Sequence, residues 1–563
     1  MKKLILLALF AIPFIFSGCG DDFLNQKNLF EKDSENYYRN PTDIAEALAG
    51  AYSCLAIDAG ANHPILVANL MSDDEFSGGG TNDIQTIGTD QYTNPTEDLY
   101  LPAYRRNYEG IFIINSLLDN FKNANFGTDT VSKNQALGEA HFLRAMFYFR
   151  LAQLFGDVPL DLDPKTNQQG RATAAEIYAQ IASDLKTAVS NLPNKPYTAA
   201  TSGHATKWAA QALMARVFLF YTGFYQSADL PVAGGSTVTK AEVIAMLDDC
   251  ITNSGHALLS DYRSIWPFSY LLDNSVDTLT AEIKNYKLAK DVTFAGDGNK
   301  ETVFAVKYSR GAWWGGQGRL SFSNQLCLYT SPRATDYRPF GFGWGIGAVN
   351  TQLRDSYVAA DTIRRWSTII DNTVSWEPTY GSKYSWGGWN CANETGLWDK
   401  KHSAVCLNRD LTDNGKNDPT WIGMYEVMTG GDGTLNMQLW NMQDDILIRW
   451  ADVLLMHSEL TQTATGINAV RARVNLPSVT YSLANLKNER RWELALEGLR
   501  WYDLLRWGDA QTAINACNGV PIKTDNVSTT YSVTFRADRV FGPFPESQIK
   551  VSNGMIEQSS GWQ

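Results

Sequence analysis

Aromatic side chains interleaved with small polar residues carry the clearest chemistry in this 563-residue chain. Trp376, Tyr380, Tyr384, Trp386 and Trp389 alternate with Ser, Gly and Asn, and Trp313-Trp314 sit among glycines with Arg319 close by. An indole or phenol ring offers a flat face to the C–H face of a sugar ring, while carboxylates, amides and guanidinium groups meet its hydroxyl rim. Ser72-Asp73-Asp74-Glu75-Phe76-Ser77-Gly78-Gly79-Gly80 adds an acidic loop in which Asp73 and Asp74 could accept from such hydroxyls. The competing reading for any one aromatic is burial beneath a long loop, and for the two aspartates a helix cap or turn.

Catalysis finds little support by contrast. The six histidines stand apart, with no HExxH pair, no GxSxG elbow and no phosphate-cradling GxxxxGK[ST] loop. Gly341-Phe-Gly-Trp-Gly-Ile-Gly347 is glycine-rich, yet no strand and helix flank it as a dinucleotide loop requires, so it reads as a flexible aromatic loop. A glycosidase needs two carboxylates set ~5 to ~10 Å apart across a cleft, and among sixty carboxylates adjacent pairs occur by chance. Asp410, Asp413, Asn417 and Asp418 could offer hard oxygens to calcium, but without the spacing and terminal Glu of an EF-hand they read as a polar turn. No catalytic residue, resident metal or cofactor is expected.

The N-terminus carries a different message. Lys2 and Lys3, the short apolar stretch from Leu4 to Phe16, and Ser17-Gly18 lead to Cys19 in the order of an export signal that ends at an acylation site. This resembles a bacterial lipobox, with Phe16 larger than usual at its position. Several acyl chains on one cysteine anchor a protein where a single chain holds it only marginally. The acidic Gly20-Asp21-Asp22 that follows is similar to signals that send lipoproteins to the outer leaflet of the outer membrane. An ordinary secretory signal with an incidental cysteine is the alternative, as is exposure to the periplasm.

These features must be positioned by the rest of the chain. Loss of residues 1–18 moves the net charge from −12 to −14, which argues against nucleic acid or an anionic lipid surface as the partner. Besides Cys19 there are six cysteines, never as CxxC, so neither zinc nor a redox motif is indicated; Cys391 and Cys406 could pair. From about residue 40 to 256 apolar residues recur at helical spacing, in segments such as Thr42–Ala56, Tyr100–Phe121, Ala136–Phe155, Ala174–Leu192 and Ala205–Phe224. Ala209, Ala210, Ala212 and Ala215 allow close helix approach of a tetratricopeptide-like kind. From 257 the composition shifts to Gly, Trp and Asn with short β-type runs such as Glu301–Tyr308, and eleven of the seventeen tryptophans fall between Trp313 and Trp450. Helix is expected again over Asp445–Gln462 and Leu483–Trp507. In the latter, Glu497 with Arg500 and Asp503 with Arg506 stand three apart, positioned to pair.

Several segments, in order, resemble the SusD/RagB family of outer-membrane nutrient-binding lipoproteins. They are Leu137-Gly-Glu-Ala-His-Phe-Leu-Arg-Ala-Met-Phe-Tyr-Phe149 running to Leu154-Phe-Gly-Asp-Val-Pro-Leu160, Gly203-His-Ala-Thr-Lys-Trp-Ala-Ala210, and Ile448-Arg-Trp-Ala-Asp-Val-Leu-Leu-Met456. Glu489 to Gly508 and Phe544-Pro-Glu-Ser-Gln-Ile549 complete the set. The resemblance implies a mostly α fold of tetratricopeptide-like helix pairs, with an irregular, loop-rich C-terminal part that carries short strands and the ligand surface. The corresponding division is 1–18 signal peptide, 19–39 anchor and tether, 40–256 helical region and 257–563 C-terminal region. It also implies a SusC-like TonB-dependent β-barrel transporter as partner, with the lipoprotein as its lid. The function expected is capture of a glycan or oligosaccharide at the cell surface; a peptide-binding member, a surface glycoside hydrolase and a purely structural module are the rivals.

Overall fold

The computed structural model describes residues 37–57, 62–94, 96–165, 170–199, 203–269, 294–308, 323–333, 343–373, 386–408, 421–423, 425 and 441–563. Cys19 and the Asp410–Asp418 turn lie outside these residues. The first half is helical: α1 (Pro41–Ser53), α2 (Pro64–Leu70), α3 (Ile84–Asp90), α4 (Leu101–Asn120), α5 (Thr130–Phe155), α6 (Ala174–Asn191), α7 (Lys207–Phe224) and α8 (Lys240–Asn253).

Local chemistry explains these boundaries. Pro41 opens α1 behind an Asn40 cap, where its missing N–H costs nothing. Thr173 with Glu176 and Thr239 with Glu242 form reciprocal capping boxes that satisfy the first free N–H groups of α6 and α8. Gly156, at φ +72°, ends α5 in a conformation that penalises a side chain.

Helix α5 is the hub. It packs against α4, α6 and α1, and sixteen of its 26 residues are buried, which is why its sequence is apolar nearly all round. Gly110 of α4 lets the two helices meet: a Cβ there would stand 2.4 Å from the Phe147 ring. Arg144 of α5 donates two bonds to Asp184 of α6 at 2.9 and 2.7 Å, so the buried charges on this seam neutralise each other. Ala209, Ala210, Ala212 and Ala215 of α7 are fully buried, as their small size anticipates.

The second half adds short strands. A four-stranded sheet has the order β1–β3–β5–β4, from β1 (Glu75–Phe76), β3 (Ala348–Val349), β5 (Leu397–Asp399) and β4 (Ile369–Asp371), all neighbours antiparallel. β2 (Thr302–Val306) pairs with β6 (Asp445–Arg449), and β7 (Pro521–Thr524) with β8 (Val527–Thr530). The main hydrophobic core runs from Ile44 to Ile556, so residues of both halves share it. Among the described residues no helix is long and apolar enough to cross a membrane.

Two helical expectations change here. Asp445–Arg449 is strand, and helix begins only at Trp450, because Ile446 and Ile448 serve the ladder with β2. The expected helix over Leu483–Trp507 is two, α12 (Leu483–Glu493) and α13 (Arg500–Trp507), the numbering allowing for α9 (Thr362–Thr368), α10 (Trp450–Thr461) and α11 (Thr465–Arg473) before them. Between them Leu496 and Gly498 take φ +65° and +73°. Asn69 of α2 grips this break, donating to the Leu496 carbonyl at 3.1 Å and accepting the Gly498 N–H at 3.0 Å. Gly498 is required, since a Cβ would lie 2.8 Å from the Ile65 Cα.

The break aims charge inward. Glu497 does not pair with Arg500; it meets Arg449 at 2.7 Å and Lys401 at 2.7 Å, while Asp503 does pair with Arg506 at 2.8 Å. Glu493, fully buried, faces Arg449 at 2.6 Å, Arg364 at 3.1 Å and also Arg473. Burial alone would raise its pKa, but Arg473, Arg449 and Arg364 outweigh that and hold the carboxyl well below the usual range. Glu493→Ala removes the one carboxylate that three buried guanidinium groups share and should cost about 3 to 5 kcal/mol in urea unfolding; a loss under about 1 kcal/mol would show that their other carboxylates suffice.

Asp90 at the end of α3 behaves in the opposite sense. Burial pushes it up to about 6, although Tyr531 and Ser77 donate to it. Its contribution to stability is therefore present below an unfolded value near 3.8 and is lost as pH rises through about 6. Asp90→Asn should flatten the fall in stability between pH 4 and 7 by up to about 2 kcal/mol; an unchanged slope in paired melts of mutant and parent would rule this out.

Candidate functional site

Three loops meet at the end of β1. The chain leaves Phe76 as Ser77-Gly78-Gly79-Gly80, and these glycines exist for close approach: a Cβ on Gly78 would stand 2.0 Å from the Gly345 carbonyl, and Gly79 has φ +78°. Gly79 donates its N–H to the Gly345 carbonyl at 2.8 Å, and its own carbonyl accepts the Ala392 N–H at 2.9 Å. Segments 77–83, 343–347 and 387–393 are thereby laced together at backbone level, although they are more than 260 residues apart at the extremes.

Aromatic and polar side chains emerge from this lacing. Trp389 is 81% exposed, the most exposed large apolar side chain among the described residues. Trp344, 39% exposed, meets Tyr329 edge-on at 5.2 Å. Thr81 donates to the Asn390 side-chain oxygen at 2.9 Å, and Arg333 faces Asp83 at 3.8 Å. Two carboxylates stand here, Asp83 and Asp525, and each already accepts a backbone N–H, from Gly80 at 2.5 Å and from Asn390 at 2.8 Å. An open indole, with hydroxyl, amide and guanidinium groups on its own loop and on neighbouring segments, suits a ligand that is flat on one face and hydroxylated at its edges.

The sequence expectations divide at this point. Trp389 stands where its ring is open, whereas Trp386 is half-buried, with the Lys523 ammonium 4.1 Å over its ring and Gly396 against its edge. Trp313, Trp314, Arg319, Tyr380 and Tyr384, with Trp376, lie outside the described residues.

Asp73 and Asp74 are a correction: they are 4% and 0% exposed and present no oxygens to a ligand. Arg500 clasps Asp73 at 2.7 and 3.0 Å, and Arg491 bonds Asp74 at 2.8 Å, which ties β1 to α12 and α13. Burial would raise Asp73, but Arg491 and Arg500 reverse it and hold the carboxyl low; Asp74 stays raised by burial despite Arg491. The acidic cluster is thus the root of the loop, and the exposed part begins beyond the glycines.

Other readings shift as well. The Gly341–Gly347 loop, expected to be flexible, is hydrogen-bonded over its described part: Trp344, Gly345 and Ile346 donate to Leu328, Ser331 and Tyr329 at 2.7 to 2.8 Å. Cys391 is a free, buried thiol, not paired with Cys406. Arg333, Asp83, Thr81 and Asn390 were not singled out from sequence; the Gly78–Gly80 run marked their neighbourhood but not which side chains it would gather. Among the described residues no group of three His, Cys, Asp or Glu side chains could hold a metal ion.

A hollow of about 700 Å³ lies on the helical side, lined by Ile44, Leu48, Tyr52, Arg106, Glu139 and His204 among others. Its buried carboxylate is fully engaged: Glu139 takes bonds from Tyr52 at 2.8 Å, Gln135 at 2.9 Å and His204 at 2.9 Å. The loop cluster, with an open ring and exposed polar edges, is the better recognition surface.

Known proteins share this architecture. Residues 22–219 match a family described as starch-binding associating with outer membrane, and residues 300–562 match the SusD family. A SusD-like protein of Bacteroides ovatus is 23% identical over 522 residues, covering 90% of this chain and 82% of the relative. A SusD-like protein of Formosa agariphila is 23% identical over 524 residues, 84% of each chain. Among solved structures, a laminarin binding SusD-like protein superposes with TM-score 0.70 at 24% identity over 93% of this chain and 100% of its own. Surface glycan-binding protein A from Bacteroides thetaiotaomicron, in complex with laminarihexaose, gives 0.67 at 18% identity over 92% and 99%. With the two family matches spanning most of the chain and the fold shared nearly end to end, this protein belongs to the SusD family.

Proposed function

We propose that this protein is a surface-exposed outer-membrane lipoprotein, anchored through Cys19, that binds a glycan or oligosaccharide and delivers it to a SusC-like TonB-dependent transporter without breaking bonds itself. The observation that carries the binding role is Trp389: an indole held 81% open to solvent on a loop whose backbone is fixed on both sides. Leaving so much aromatic surface wet gains nothing for folding, whereas a sugar ring covers it at once. Asn390 beside it, and Thr81, Asp83 and Arg333 on neighbouring segments, supply the polar groups a hydroxyl rim requires. Relatives whose names record binding of laminarin and laminarihexaose support a glycan as the ligand class.

The soluble chain starting after residue 20, titrated against a panel of neutral and acidic polysaccharides and of peptides, tests the ligand class. Trp389→Ala should weaken binding of the glycan hit by about 1 to 3 kcal/mol with an unchanged melting temperature. Equal affinity in mutant and parent, or a peptide as the only hit, would defeat the glycan platform. Delivery and anchoring have a separate readout. Gentle detergent extraction of a tagged chain should recover a large β-barrel protein, and Cys19→Ala should leave the membrane fraction; a chain extracted alone, or C19A still acylated, would count against this part.

A further inference from the structure

Trp389 sits on a loop with few bonds of its own, among them Cys391 N–H to the Gly388 carbonyl at 3.3 Å and Gly387 N–H to the Glu394 carboxylate. Gly387 and Gly388 precede it, Asn390 and Asn393 take φ +58° and +48°, and its ring is open to solvent. What fixes it arrives from far along the chain. The β7–β8 hairpin turns through Asp525-Asn526, both with positive φ, the two-residue turn whose twist matches paired strands. That turn faces the loop. Asp525 Oδ1 accepts the Asn390 N–H at 2.8 Å, the Asp525 N–H reaches the Cys391 carbonyl at 2.9 Å, and the Asn526 N–H reaches Gly387 at 3.0 Å. Thr524 Oγ1 accepts the Asn393 N–H at 3.0 Å, and Glu394 and Lys523 exchange both backbone bonds at 2.9 and 2.8 Å.

The hairpin also reaches the second loop. Tyr531, just after β8, stacks on Phe76 with ring centres 3.8 Å apart and planes 15° from parallel, and it donates to Asp90, which holds Ser77. Asn393 in turn donates to the Ser77 hydroxyl at 3.0 Å. One element therefore sets the positions of both loops. Ordering a loop at the moment of binding subtracts from affinity, so a loop ordered beforehand binds more tightly with the same contacts.

We propose that the 521–530 hairpin is a strut that preorganises the Trp389 loop for ligand, with Asp525 at its tip as a positioning residue that touches no ligand itself. This rests on Trp389 being the ligand platform. Asp525 is the informative position because its carboxylate is the one side chain of the turn bonded to the backbone beside Trp389, and the hairpin's other bonds survive its loss.

Hydrogen exchange by mass spectrometry on the soluble chain reads the strut without any ligand. In Asp525→Ala, amides of 387–393 should exchange about tenfold faster, as loss of one charge-assisted bond implies, while the melting temperature moves by less than about 2 °C. Asp525→Asn, which keeps an acceptor oxygen and tolerates positive φ, should restore protection. Unchanged exchange in Asp525→Ala, or loosening spread over the whole chain, overturns the proposal. Affinity for laminarihexaose or another glycan hit then separates the two ideas. If Trp389→Ala weakens binding and Asp525→Ala does not, the strut role is wrong; if Asp525→Ala loosens the loop but Trp389→Ala leaves binding intact, the platform reading fails and the mechanical strut stands.

Discussion

The buried convergence of Arg449, Arg473 and Arg364 on Glu493 is the constraint on which the rest of the structure depends. Four formal charges in a space closed to water are tolerable only because each has a counter-charge within hydrogen-bond reach, and Glu301, Glu489 and Glu497 complete the balance. The residues come from the position just before β2, from β6, α9, α11 and α12, and from the turn after α12. No one of these segments can be displaced without leaving an unpaired ion, so the network sets their mutual positions more strictly than apolar contact alone would. The cation face of Lys401 over Trp266, 4.3 Å from the ring centre, shows the same economy applied to an aromatic neighbour.

From that centre the geometry propagates outward to the recognition surface. The interruption between α12 and α13 that aims Glu497 inward also presents Arg491 and Arg500 to Asp73 and Asp74, and these root β1. β1 then delivers the glycine run at its end to Gly345 and Ala392. The scaffold is charge-locked, and the binding loops are backbone-locked. Only the side chains at the outer edge, Trp389 above all, are left without a structural task. This division lets loop side chains vary to suit a different ligand while the ionic centre stays as it is.

Glu493 and Asp73 carry pH signatures opposite to that of Asp90, because buried cations outweigh desolvation at the first two and are absent at the third. Glu493 and Asp73 face guanidinium groups and are held low, while Asp90 sees only neutral donors and is pushed up to about 6. Acid unfolding through the ionic centre therefore belongs to a more acidic range than the titration of the segment that fixes Ser77.

The sequence by itself determined the helices α1, α4, α5, α6 and α7 of the first half, though α5 starts six residues before the expected Ala136 and α2, α3 and α8 are not among the expected segments; apolar spacing acts within one or two turns and needs no distant partner. It also carried the family resemblance and the absence of catalytic signatures, and it named Trp386 and Trp389 alike as candidates. Tertiary structure decided what depends on partners far away in the chain. Leu483–Trp507 reads as one helix until Asn69 and Ile65 are brought against Leu496 and Gly498, and Asp73-Asp74 reads as a solvated acidic loop until Arg491 and Arg500 arrive. Likewise nothing local distinguishes Trp386 from Trp389. The first lies under Lys523 and the second does not, because a hairpin more than 130 residues downstream chooses which of the two rings it covers.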